Sequence, residues 1–334
     1  MKDVQTDNSE LTQLFPQESE STDKYRGCSS ISKSGLGVSL AALSGVLYGL
    51  VTILVVLTQN GGAATAQVTL IQNIVCIVFT IPVIAYFRYP FFKYSNRERI
   101  LLVVNSVVET AGRITLYYAF RFGLAGNVTS ITYGILPILT ALLACVYNRE
   151  RWKRVDAINS VFNIAGIILI AGPLFTTNET SEEEKNAALS ISLSIATAVL
   201  FAVSAVAIHS MPGVRVFVIL FYVGAVGVVV TIPMLFLGTS VTWHLGTICW
   251  VYLLLEAVCY LLASIAAMFA LHRENAATVI LLINIQICVA YIGDVFVFGK
   301  TVKPLEIVGS VLIITSSAIV ALYTCWINRR NTDR

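Results

Sequence analysis

"ILLVVNSVVETAGRITLYYAF" runs from Ile100 to Phe120. All but two of its residues are apolar, small or uncharged. A helix of that length rises about 30 Å, the thickness of a bilayer's hydrocarbon layer. Yet Glu109 and Arg113 stand at its middle, four residues apart. Each bare charge there costs on the order of 2.5–3.5 kcal/mol on insertion scales. A span that carries them has something to gain from them.

The rest of the chain sets this stretch in context. Hydrophobic residues make up 57% and charged residues only 12%, with a mean hydropathy of +0.79. A soluble chain is about a quarter charged. The composition therefore predicts an all-α membrane protein. Ten transmembrane helices are expected near 36–58, 66–87, 100–120, 127–147, 155–173, 187–209, 214–237, 248–270, 277–298 and 305–326. Pro82, Pro137 and Pro233 inside spans are tolerated in lipid. The ten-residue alternation of a β-barrel is missing from the sequence.

Residues 1–34 are polar, rich in Ser, Thr, Glu and Asp, and read as a disordered cytosolic tail. They lack the apolar core of a signal peptide, so the first span is expected to act as its own insertion signal. Lys and Arg then orient the chain. With ten spans both termini share a side, and that side collects nearly all the cations, from Lys2 to Arg334. The other side holds only Arg121, Lys185, Lys300 and Lys303. The positive-inside rule puts both termini in the cytosol, in the plasma membrane or an endomembrane (ER or Golgi). The net charge of +3 reflects this bias and does not suggest nucleic acid. On the opposite side, Asn178-Glu179-Thr180 is a glycosylation sequon in an acidic loop, with Asn178 the expected acceptor. A second sequon begins at Asn127, against the membrane, and is expected to be unused.

The seven cysteines are mostly inside spans and make no close CxxC pair, so they read as small apolar residues. The three histidines lie near span ends in different loops. No metal or cofactor motif is visible. The lipid bilayer, a small organic solute, protons and a second copy of the chain in a homodimer are the candidate partners.

An internal repeat follows. "YAFRFGLAGNVT" from Tyr118 and "FALHRENAATVI" from Phe269 each end a third span in a set of five. Five is odd, so the second set enters from the opposite side. That makes an inverted 5+5 repeat, with a site expected near mid-membrane between the halves. The expected units are 1–34 as tail, 35–174 and 187–326 as five-helix repeats, and 327–334 as a second cytosolic tail.

The stretches "LYYAFRFGLAGNVTSITYGILPILTALLACVYNRERWKRVDAINSVFNIAGIILI" (116–170) and "GDVFVFGKTVKPLEIVGSVLII" (293–314) resemble the drug/metabolite transporter superfamily. More narrowly, the chain resembles EamA-domain proteins of solute carrier family 35, G subgroup, over roughly 36–326. The resemblance implies helices 1–4 and 6–9 around a central cavity and secondary transport of small organic solutes. The chain departs from that subgroup's pattern at Gln72 and Asn105, where arginines are expected.

The candidate substrate-binding residues are Glu109, Arg113, Tyr117, Tyr133, Glu256, Tyr260, Asn284 and Gln286. Glu109 and Arg113 share a face at i,i+4, within pairing reach. They form either a structural pair or a cavity-facing one, with Arg113 open to an anionic group. Glu256 has no cation in its own span. Arg113 and Glu256 each lie about 4.5 Å outward of their span centres, and spans 3 and 8 are repeat mates, so the two are expected to meet. Tyr133, Asn284 and Gln286 suit interhelical hydrogen bonds as well as substrate contact. Asp294 is expected to be solvated or paired with Lys300.

Three function classes remain. A transporter, with a lean to organic anions, accounts for the repeat and the charges. A regulatory or receptor-like protein on a transporter fold is the alternative. An intramembrane protease built on Asp294 lacks the rest of its motif, so no enzymatic activity is expected.

Overall fold

A computed structural model describes residues 30–89, 94–147, 154–176, 181–211, 213–237, 241–273, 279 and 282–332. Asn178 lies outside the described residues, while the acidic stretch that follows it is helical from Ser181. The described residues form helices only: α1 Ser30–Asn60, α2 Thr65–Phe87, α3 Asn96–Phe122, α4 Ala125–Tyr147, α5 Arg154–Thr176, α6 Ser181–His209, α7 Val216–Leu237, α8 Thr247–Arg273, α9 Ile285–Ile292 and α10 Pro304–Thr332. A π-helical turn, Gly293–Val297, continues α9.

Local chemistry sets the ends. Ser95 precedes α3, and Glu98 Oε2 accepts the Ser95 backbone N–H at 2.8 Å, half of a capping box. Before α2, Gln67 Oε1 accepts the Ala64 N–H at 2.8 Å. Arg88 ends α2 in the left-handed conformation, φ 48°, with its N–H on Ala85 O. Gly299, at φ 61°, turns the chain between α9 and α10.

Seven of these helices are long and apolar enough to cross a membrane: α1, α2, α3, α4, α6, α7 and α8. The described parts of α5, α9 and α10 hold shorter apolar stretches, Ile158–Ala171, Ile285–Val297 and Pro304–Ser316. Apolar side chains such as Val78, Val229, Ile248 and Phe296 point outward, while Gln72, Asn73, Asn105, Arg113 and Glu256 are buried. This inside-polar, outside-apolar distribution is what lipid as solvent selects.

The helices pack in a defined order. α1 lies along α8, α3 along α6, α2 along α7 and α5 along α10; α4 also packs on α6 and α9 on α1. Glycines permit the closest of these approaches. A Cβ at Gly309 of α10 would stand 2.5 Å from the Gly166 carbonyl oxygen of α5, so these helices meet backbone to backbone. Ser316 Oγ donates to Asn163 Oδ1 across the same contact at 3.2 Å. On α7, a Cβ at Gly227 would stand 2.5 Å from Asn73 Nδ2. That glycine makes room for a side chain of the buried site.

Candidate functional site

The centre of the bundle is organised by Arg113. Its side chain is 2% exposed and leaves α3 toward α2. Nη1 donates to Gln72 Oε1 at 3.1 Å and Nη2 to Asn73 Oδ1 at 2.7 Å, with Thr110 Oγ1 at 3.3 Å. The guanidinium carbon lies 4.7 Å from the centroid of the Tyr260 ring, within cation–π range. Tyr260 in turn meets Tyr48 edge-on at 6.2 Å, and the Tyr48 and Ser264 hydroxyls share a 3.1 Å hydrogen bond.

Gln72 carries the network onward. Its Nε2 donates to Glu256 Oε1 and to the Tyr117 hydroxyl at 2.7 Å. The Tyr117 hydroxyl donates to Glu256 Oε1 at 3.4 Å. Glu256 is 0% exposed. One carboxamide thus accepts from Arg113 and donates to Glu256, joining α3 and α8 through α2. Arg113 Nε and Glu256 Oε2 are buried without a hydrogen-bond partner among the described residues. A buried polar atom left so costs about 1–3 kcal/mol, more when charged. A donor and an acceptor therefore stay open in one buried cluster.

Glu109 is not a partner of Arg113. Its Oε2 accepts from Ser204 Oγ of α6 at 2.8 Å, and Ser204 Oγ also reaches Asn105 Oδ1 at 2.9 Å. Four residues along a helix leave about 40° between side-chain directions. That angle suffices for Arg113 to face α2 while Glu109 faces α6, because each finds a polar partner on its own neighbour. The expected direct meeting of Arg113 and Glu256 is likewise replaced by the Gln72 bridge.

The other candidates make none of these hydrogen bonds. Tyr133 approaches Gln286, and its ring tilts over Phe201 at 6.4 Å. Gln286 and Asn284 are both buried at the start of α9. Asp294 is neither solvated nor held mainly by Lys300. It is 0% exposed, and its carboxylate accepts the backbone N–H groups of Gly126 at 2.6 Å and Ala125 at 3.3 Å. It therefore caps α4, where the helix dipole favours an anion. Asn127 is buried and its Oδ1 accepts from Tyr291 OH at 2.7 Å, which occupies that sequon's side chain.

Above the cluster, toward the α3–α4 link, lies a cavity of about 650 Å³. Phe120 and Gln59 line it. Phe120 stacks on Tyr117 at 6.2 Å, and Gln59 Nε2 donates to the Tyr117 carbonyl at 2.8 Å. Tyr117 thus touches two of the cavity's lining residues on one side and Gln72 and Glu256 on the other.

Comparison with known proteins places this arrangement. Residues 35–172 match the EamA-like transporter family. This part of the chain therefore resembles an EamA domain, and the resemblance to solute carrier family 35 extends well beyond it. It is 25% identical to solute carrier family 35 member G1 of Mus musculus over 85% of this chain and 77% of that protein. The Homo sapiens G1 protein is also 25% identical, over 87% and 80%. An uncharacterized membrane protein of Saccharomyces cerevisiae is 32% identical over 28% of this chain and 22% of its own length. A solved crystal structure superposes with a TM-score of 0.62 at 13% identity, covering 90% of this chain and 99% of its own; it speaks for the fold alone. With its apolar helices, the chain is a multi-pass membrane protein that resembles transporters. Arg113, Tyr117 and Phe120 lie within the residues matched to the EamA-like family, while Glu256 and Tyr260 come from outside them.

Proposed function

We propose that this protein is a secondary transporter of a small organic solute, an organic anion in particular, working by alternating access between two inverted five-helix halves. The packing order supports the architecture. α1 on α8 and α3 on α6 are the pairings that an inverted repeat exchanges, and α2 on α7 and α5 on α10 are the self-related ones. The observation that carries the function is Arg113. It is a buried cation with Nε open, held by neutral amides and an aromatic face, with no carboxylate within hydrogen-bonding distance among the described residues. An anionic group would meet a cation that no carboxylate among the described residues touches directly.

Glu256 gives the cycle its second element. An anion that draws Gln72 away removes a hydrogen bond from Glu256, and proton uptake would then neutralise a buried charge. Proton binding would bias the inward- and outward-open populations. The orientation proposed from Lys and Arg puts both termini in the cytosol. The test is flux into proteoliposomes offered a metabolite extract, read by mass spectrometry with and without the protein. Accumulation of an anion that is lost with Arg113→Gln supports the reading. A folded protein that moves no solute would favour the regulatory or receptor-like alternative.

A further inference from the structure

The cavity above Tyr117 is lined by Gln59, Asn60, Phe120, Arg121, Phe298 and Lys300, among others, and no carboxylate is among its lining residues. Its two cations are available to a ligand. Arg121 is exposed and makes a 3.4 Å hydrogen bond to the Ala63 carbonyl. The half-buried Lys300 ammonium lies 5.7 Å from the Phe298 ring centroid. Asp294, the carboxylate whose field reaches Lys300, is turned into the protein to cap α4. On the orientation proposed above, this face carries only Arg121, Lys185, Lys300 and Lys303. A face depleted of Lys and Arg by the topology rule has kept cations, and two of the four line one cavity.

We propose that this cavity is a second ligand site, an antechamber that docks a small organic anion outside the buried cluster. Arg121 and Lys300 hold the carboxylate or phosphate group. Phe120 and Phe298 offer apolar faces for the rest of the molecule, and Gln59 and Asn60 supply neutral hydrogen-bonding groups. Two like charges in a concave, partly apolar wall concentrate anions by a factor of ten or more. Phe120 and Gln59 form the inner wall, and Tyr117 lies behind them. The ligand docked above it reaches the Arg113 cluster only when the Phe120 stack and the Gln59 hydrogen bond part.

The site can be tested without knowing the transported solute. Asn60→Cys puts a thiol in the cavity wall, with wild-type labelling subtracted for the native cysteines. In purified protein in nanodiscs, the anionic reagent sulfonatoethyl methanethiosulfonate should react about tenfold faster than its trimethylammonium counterpart, each relative to a free thiol. Adding Arg121→Gln and Lys300→Gln should abolish that preference, and Arg121→Lys with Lys300→Arg should keep it. Benzoate or phenyl phosphate should slow the labelling, and which of them does so identifies the carboxylate or the phosphate ester as the preferred class. An absent anionic preference, one that survives the double Gln variant, or labelling slowed by neither probe would overturn the proposal. None of these readouts needs flux, so a failure of transport would leave them standing.

Discussion

Arg113 donates to Gln72, and Gln72 donates to Glu256. A neutral amide therefore transmits between a cation and a carboxylate that do not touch. Replacing Gln72 by Leu should separate them and take one hydrogen bond from each, leaving Arg113 on Asn73 and Thr110 and Glu256 on Tyr117. We expect a loss of about 1–3 kcal/mol, read as a lower melting temperature and reduced monodisperse yield in detergent. Glu256→Gln retains an oxygen for Gln72 to bond and should fold normally.

The same variant tests proton coupling. Uptake of an identified substrate should vary between acid and neutral pH in the wild type and lose that dependence in Glu256→Gln at matched protein levels. An unchanged rate and pH profile would remove Glu256 from the cycle.

Exchanging Glu109 and Arg113 should not restore function. The two face different helices, so Glu109→Arg would point a cation at Ser204 and Asn105, and Arg113→Glu would set a carboxylate against Gln72 and Asn73. Recovery of both expression and flux in the double exchange would return them to the status of a simple ion pair.

Gly227→Ala should disturb the site from a distance. The added methyl collides with Asn73, which holds Arg113 Nη2. Overpacking of this kind costs about 1–3 kcal/mol. In an Asn73→Ala background the same change should cost distinctly less, and a double-mutant cycle of melting temperatures measures the coupling.

Asp294→Ala should lower stability by about 0.5–2 kcal/mol, because the first N–H groups of α4 lose their cap. Asp294→Asn should fall between the two. Equal melting temperatures for all three would contradict the capping role.

A cysteine at Ser181 tests orientation. It should react with an impermeant reagent from the outer or luminal face, and labelling from the cytosolic side alone would invert the proposed topology.

Much of this was legible in the sequence because charge in an apolar run is conspicuous. Arg113 and Glu256 were matched by depth, and the structure brings them into one network. Gln72 was visible only as a departure from a family pattern, since an amide in a span carries no charge and its bridging role depends on three helices meeting. The partner of Glu109 was hidden for a similar reason: i,i+4 spacing shows that two side chains can meet, but Ser204 on α6 competes and wins. Asp294 looked like a rim residue. Its role needed the turn after α9 to lie beside the start of α4, a tertiary relationship that one-dimensional spacing does not contain.

The backbone contact between Gly166 and Gly309 bears on how the protein is made. The helix α5 leaves the ribosome long before α10, and at ~5–20 residues per second the wait is on the order of ten seconds. Throughout that interval Asn163 lacks Ser316, and the glycine-lined side of α5 is without the helix that closes it. The newborn chain must be sheltered during synthesis, and a messenger truncated before Pro304 would yield a product that membrane quality control can recognise by that open seam.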